Sequence, residues 1–157
     1  MFILKVALIF IVCLNISNSY ASNIKNSAVV FMYHKFGIDK YPTTSVTLDQ
    51  FDSHLKEFSK EKYSLKSIEF IIDTIINDGE LPENTIGISI DDADKSFYEV
   101  GWPMFKENNI PVTLFVNTST IHKNNKNYLN WDQIRQLQEE GVAIGAHSHS
   151  HYHCLLY

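Results

Sequence analysis

Two stretches of this chain concentrate side chains able to do chemistry. The first is Ser89-Ile90-Asp91-Asp92-Ala93-Asp94, in which a β-prone apolar run ends in adjacent carboxylates. Two carboxylates leaving a buried strand are costly unless a cation, hydrogen-bond donors or water receive them. A bland assignment is also available: Asp94 as a helix N-cap, with Asp91-Asp92 as a solvated turn. The second stretch is His147-Ser148-His149-Ser150-His151-Tyr152-His153, which holds four of the chain's 7 histidines. His147 and His151 are four residues apart, so one helical turn would put both imidazoles on the same side. Neutral imidazole is a common metal ligand and suits Zn²⁺ or another divalent transition metal. Two histidines and one carboxylate make a known catalytic zinc set that leaves a fourth position for water. A His-rich segment that scavenges metal without a folded site is the competing assignment.

The elements that must position these groups alternate between strand and helix. Ala28–Tyr33 is an unbroken apolar run, the pattern of a strand buried on both faces. Thr47 with Gln50 forms a capping-box signature ahead of Leu48, Phe51, Leu55 and Phe58 at helical spacing. Ser67–Asn77 predicts a second helix on Ile68, Ile71, Ile72 and Ile75, with its exit at Gly79. Thr85–Ile90 is a strand, Asp94–Asn108 a helix disturbed at Pro103, and Pro111–Val116 a strand. Asn124–Asn127 reads as a polar loop. Trp131–Glu140 is a helix capped by Asn130 and stopped by Gly141, and Val142–Ala146 is the last strand. Such alternation predicts an α/β fold with parallel strands, and both chemical stretches sit at C-terminal strand ends, where such folds build their sites. An eight-unit barrel needs about 250 residues, so the expectation is an incomplete (β/α) barrel, part of a larger domain.

Composition narrows the classes. Of 157 residues, 45% are hydrophobic and 20% charged, which excludes a disordered tail or a fibre. A net charge of -5 argues against a nucleic-acid partner. Met1–Lys5 is a short positive segment, Val6–Ile16 is apolar, and Ser19-Tyr20-Ala21 has the small residues of a signal-peptidase site. The expectation is a signal peptide over residues 1–21 and an exported chain, periplasmic or extracellular, over 22–157. An uncleaved segment would be the one membrane contact. Removing it leaves Cys154 as the single cysteine, which precludes an internal disulfide.

Taken together, the two stretches resemble the motifs of the polysaccharide deacetylase family, carbohydrate esterase family 4, also called the NodB homology domain. Ser89-Ile90-Asp91-Asp92 matches the family's first motif. His147-Ser148-His149-Ser150-His151 matches its second, a His, a Ser or Thr, two variable residues and a His. Tyr33-His34, Ile110–Val116 and Trp131-Asp132-Gln133-Ile134 extend the resemblance from about Val29 to His151. It implies that Asp92, His147 and His151 hold a metal, with Asp91 as general base. Ser148 would orient the second motif, and His34 would line the pocket. The implied partner is an N-acetylated glycan. The start at Tyr33-His34 and the Trp131 helix look most like members acting on exported poly-N-acetylglucosamine.

The resemblance also implies features that this sequence does not contain. The family's later Arg/Pro segment and late histidine acid would follow the second motif, and Arg135 precedes it. The expectation is therefore that the 157-residue chain by itself has impaired activity. A non-catalytic, His-rich periplasmic metal-binding protein and an inactive gene fragment are the alternatives.

Overall fold

A computed structural model describes residues 26–123 and 125–152. The expected signal peptide at residues 1–21, together with His153 and Cys154, lies outside them. The elements are β1 (Ala28–Tyr33), β2 (Lys35–Phe36), β3 (Ser45–Val46), α1 (Leu48–Phe58), β4 (Ser64–Leu65), α2 (Ile68–Ile76) and β5 (Thr85–Asp91). A π-helical turn (Phe97–Gly101) leads into α3 (Trp102–Glu107), followed by β6 (Thr113–Val116), α4 (Thr118–His122), α5 (Trp131–Glu139) and β7 (Ala143–Ala146). The main sheet is parallel throughout, in the order β1-β5-β6-β7, with β4 also paired to β5. It is open, as expected of part of a barrel.

Capping chemistry sets the helix starts. Thr47 and Gln50 form the expected capping box on α1, Ser67 caps α2 through Phe70 N–H, and Asn130 with Gln133 boxes α5. The helix foreseen over Asp94–Asn108 runs from Lys95 to Glu107, and its middle is a π turn rather than regular α-helix. Trp102 N–H reaches back five residues to Phe97 O, and Pro103 enters just after this widened turn. A proline ring collides with the carbonyl four residues earlier in a regular helix, and the π turn makes room for it.

Register divides the sheet into two faces. Ile90, Leu114 and Ile144 are aligned across β5, β6 and β7, and that face belongs to a core with Phe36, Phe51, Phe97, Phe105 and Leu137. The opposite face is mostly small and polar (Gly87, Ser89 and Asp91 on β5, Thr113 on β6, Gly145 on β7), with the Phe115 ring of β6 lying over Gly145. A Cβ on Gly87 would stand 2.7 Å from Ile68 Cδ1, so α2 covers the beginning of this second face. Only β5 is buried along its whole length.

β1 departs from the expectation of burial on both faces. Val29 and Met32 are 58% and 60% exposed, because β1 pairs with β5 along one edge and no described strand lies on the other. Similarly, α2 buries Ile68 and Ile71 but leaves Ile72 and Ile75 half exposed.

Candidate metal centre

All four main strands end at one place. Tyr33 aligns with Ile90, Asp91 with Phe115, and Val116 with Ala146. His34, Asp91-Asp92, Asn117 and His147 consequently leave adjacent strand ends together. At the turn after β5, Asp92 (φ 73°) and Ala93 (φ 58°) both adopt left-handed backbone, which few side chains tolerate without external support. That support is present. Asp94 Oδ1 accepts hydrogen bonds from Ser96 N–H (3.0 Å) and Ser96 Oγ–H (2.7 Å), and Ser96 Oγ in turn accepts Phe36 N–H (3.0 Å). From the other side, Leu129 N–H donates to Ala93 O and Lys95 N–H to Asn127 O. The polar loop is thus a strap across the aspartate turn, which its composition did not reveal. Asp94 is buried and does both jobs: it holds the turn and, with Ser96 N–H on its Oδ1 and Phe97 N–H on its backbone O, caps the helical segment that begins at Lys95.

The second histidine stretch is held as firmly. His147 N–H donates to Val116 O, while Ser148 O and His149 O accept Thr118 N–H and Ser119 N–H at the start of α4. His149 Nδ1 lies 2.8 Å from Thr118 Oγ1, a contact on the exposed side. Ser148 Oγ accepts His151 N–H at 3.1 Å. The helical turn expected between His147 and His151 does not form. Ser148 (φ 63°) and His151 (φ 52°) curl the backbone to the left instead, bringing the two rings to 4.9 Å. Helix α4 had one local signal, Asn117-Thr118-Ser119 directly after a strand, a set of residues favoured at helix starts.

Three side chains converge. Asp92 Oδ1 lies 3.3 Å from His151 Nε2 and 3.5 Å from His147 Nε2, and the three candidate ligand atoms all fall within 4.8 Å of one another. Asp92 Oδ1 is buried and, among the described residues, accepts no hydrogen bond. An unsatisfied buried carboxylate oxygen facing two imidazole nitrogens is costly unless a cation sits among them, so the donor set fits a divalent metal. Asp91 stands beside this cluster, with its Oδ2 4.0 Å from His147 Nε2. Burial pushes the Asp91 carboxyl above its ordinary range, while His147 and then His34 pull it partly back. A carboxylate shifted toward neutral pH is better matched to accepting a proton at that pH. Arg135, for its part, pairs with Asp132 on the exposed surface of α5.

A family model described as polysaccharide deacetylase matches residues 78–156, which contain both stretches. The poly-beta-1,6-N-acetyl-D-glucosamine N-deacetylase of Staphylococcus aureus is 29% identical over 129 residues, covering 80% of this chain and 42% of that protein. The Staphylococcus epidermidis protein of the same name is 30% identical over 146 residues, covering 81% and 49%. This chain thus spans less than half the length of the curated relatives it matches. Among solved structures, the Streptococcus pyogenes deacetylase PplD superposes with a TM-score of 0.70 at 22% identity, over 80% of this chain and 57% of that one. IcaB from Ammonifex degensii gives 0.66 at 20% identity, over 78% and 53%. At these identities the structures speak for the fold alone.

Proposed function

Since this chain belongs to the polysaccharide deacetylase family, a family of hydrolases, we propose that its site removes N-acetyl groups from an N-acetylated polysaccharide outside the cytoplasm. The observation that carries this reading is the buried, unsatisfied Asp92 Oδ1 facing His147 and His151. Asp92, His147 and His151 would hold the metal, with Zn²⁺ best suited to the two-histidine, one-carboxylate set. When bound, such an ion supplies a Lewis acid that acidifies water and polarises an amide carbonyl.

The remaining work falls to the chain's own residues. Asp91, outside the ligand set, accepts the proton of the attacking water. His34 tunes Asp91 electrostatically from the end of β1. Ser148 fixes the curl that aims His151. The relatives' names support an N-acetylglucosamine polymer as substrate. Residues 1–21 serve as the export signal, and residues 22–157 form the deacetylase portion. No described helix is long and apolar enough to cross a membrane.

The test combines zinc titration with acetate release from N-acetylglucosamine oligomers. Asp92→Ala should weaken zinc binding by about 10-fold or more, the scale found when metal shells are damaged. Equal affinity in both proteins would instead identify a loose histidine cluster. Because the matched relatives are about twice as long, the 157 residues assayed alone lack what the other half of such a protein supplies. Turnover roughly 10²-fold or more below a full-length relative is expected, the size of one missing acid–base contribution.

A further inference from the structure

Just after the aspartate turn, Asp94, Lys95 and Ser96 line a cleft of about 510 Å³ that the reading above leaves without a role. Its volume falls within the range of small-ligand sites. Lys35, Lys40, Lys95 and Lys126 line it with Tyr41 and Tyr128, against two carboxylates, Asp94 and Glu99, in the same wall. Four ammonium groups around one cavity run against the chain's net charge of -5. Lys95 has a partner, Glu99 Oε1 at 3.4 Å. Among the described residues no carboxylate lies within ion-pair distance of Lys35, Lys40 or Lys126. The Asp94 carboxylate in the wall has its Oδ1 engaged by Ser96 and is buried.

The geometry adds a second argument. Lys35 Nζ and Lys40 Nζ each lie 5.3 Å from the centroid of the Tyr41 ring. The ring attracts each cation modestly, and gathering like charges near one ring is unfavourable unless an anion in the cleft offsets them. Tyr128 closes the far wall, pairing with Asp94 through the backbone. The cleft is thus lined by Asp94, two residues along the chain from Asp92 of the metal centre.

We propose that this cleft is a subsite for an acidic group of the glycan, a carboxylate or phosphate on a sugar neighbouring the acetamido group that is cleaved. The proposal rests on the deacetylase reading of the adjacent centre. It makes acidic glycans preferred over neutral ones, with the tyrosine rings offering flat apolar surface to the sugar and the lysines holding its charge.

The test is calorimetric titration of the 157-residue chain in chelator, so that the metal plays no part. Three probes of equal length are compared: an oligogalacturonate, a phosphorylated N-acetylglucosamine oligomer and a neutral N-acetylglucosamine oligomer. At least one acidic probe should bind about tenfold tighter than the neutral one, as a charge-assisted contact provides, and lose that advantage as salt rises. Whether the carboxylate or the phosphate probe wins identifies the acidic group. The double variant Lys40→Gln/Lys126→Gln should abolish the preference while zinc affinity, measured separately, stays unchanged and reports an intact fold. Equal affinity for acidic and neutral probes, or an acidic preference that survives in the double variant, would overturn the subsite. If acidic probes bind as expected but no glycan releases acetate in a zinc-loaded full-length form, the deacetylase reading fails and the cleft remains an acidic-glycan site.

Discussion

Asp91 and Asp92 are neighbours in sequence with the same functional group, yet their surroundings differ. Asp92 turns its Oδ1 toward two imidazole nitrogens, while Asp91 projects from the strand and is lifted in pKa chiefly by burial. Left-handed backbone at Asp92 is what separates the two directions. Replacing each in turn should separate binding from chemistry. Asp91→Asn keeps the shape and leaves the three proposed ligands in place, so zinc affinity should hold within about threefold while acetate release falls by roughly 10² to 10⁴, the range for loss of the proposed general base. A parallel fall in zinc affinity would show that Asp91 belongs to the ligand set.

Elements, rather than single contacts, bring the histidines to the aspartates, and β7 carries the tightest constraint. A Cβ on Gly145 would lie 2.6 Å from the Phe115 ring, closer than real Cβ atoms approach. Gly145→Ala must push β7 away from β6 or displace Phe115, and His147 begins two residues later. A loss of about 1 to 3 kcal/mol by chemical denaturation, the usual cost of overpacking, should accompany weaker zinc binding. Helix α5 is tied to α3 at Glu140, which accepts hydrogen bonds from Trp102 Nε1 (2.6 Å), Lys106 Nζ (3.1 Å) and Gln136 Nε2 (2.9 Å). The Trp102 bond leads in holding the Glu140 carboxyl down to about 2 from an ordinary 4.5. A depressed folded pKa gives stability that is full above pH 4.5 and disappears as pH falls toward 2. Glu140→Gln should therefore cost about 1 kcal/mol at pH 7, discounted for solvent screening of this half-buried group, and the gap should close in that acid window. A gap of the same size at pH 2.5 and pH 7 would contradict the assignment.

At the scale of the molecule, the dominant fact is an open sheet with an apolar edge. Tyr33, Phe36, Phe51 and Phe105 form a dense aromatic core on one face, with ring centroids 4.9 to 6.0 Å apart. Beside it, Val29, Val30, Phe31 and Met32 of β1 remain exposed. A flat hydrophobic edge with unpaired backbone groups invites strand-to-strand association. Residues 22–157 expressed alone should show a concentration-dependent increase in apparent size by light scattering. Met32→Lys, which places a charge on that edge, should suppress it, and unchanged association in the variant would place the sticky surface elsewhere. The exposed face of α2 is the natural second suspect.

How much of this could be read from the chain depends on the range of the forces involved. Helix caps, strand runs and the two chemical stretches are local: Thr47 with Gln50, Asn130 with Gln133, the apolar run into Asp91-Asp92, and the spaced histidines. Each reflects neighbours within four residues, so the residue order alone determined the parallel α/β plan, the family resemblance and the residues singled out for the site. Other features arise between segments distant in sequence. The left-handed backbone at Asp92, Ala93 and Ser148 is held by distant contacts from Leu129 and Thr118, and local propensity alone does not dictate it. The same holds for the loop at 125–130 as a strap, for the lysines gathered around Tyr41, and for the exposure of β1. Apolarity marks a strand for burial, but whether it is covered depends on which neighbour pairs with its second edge, and that only the tertiary structure decides.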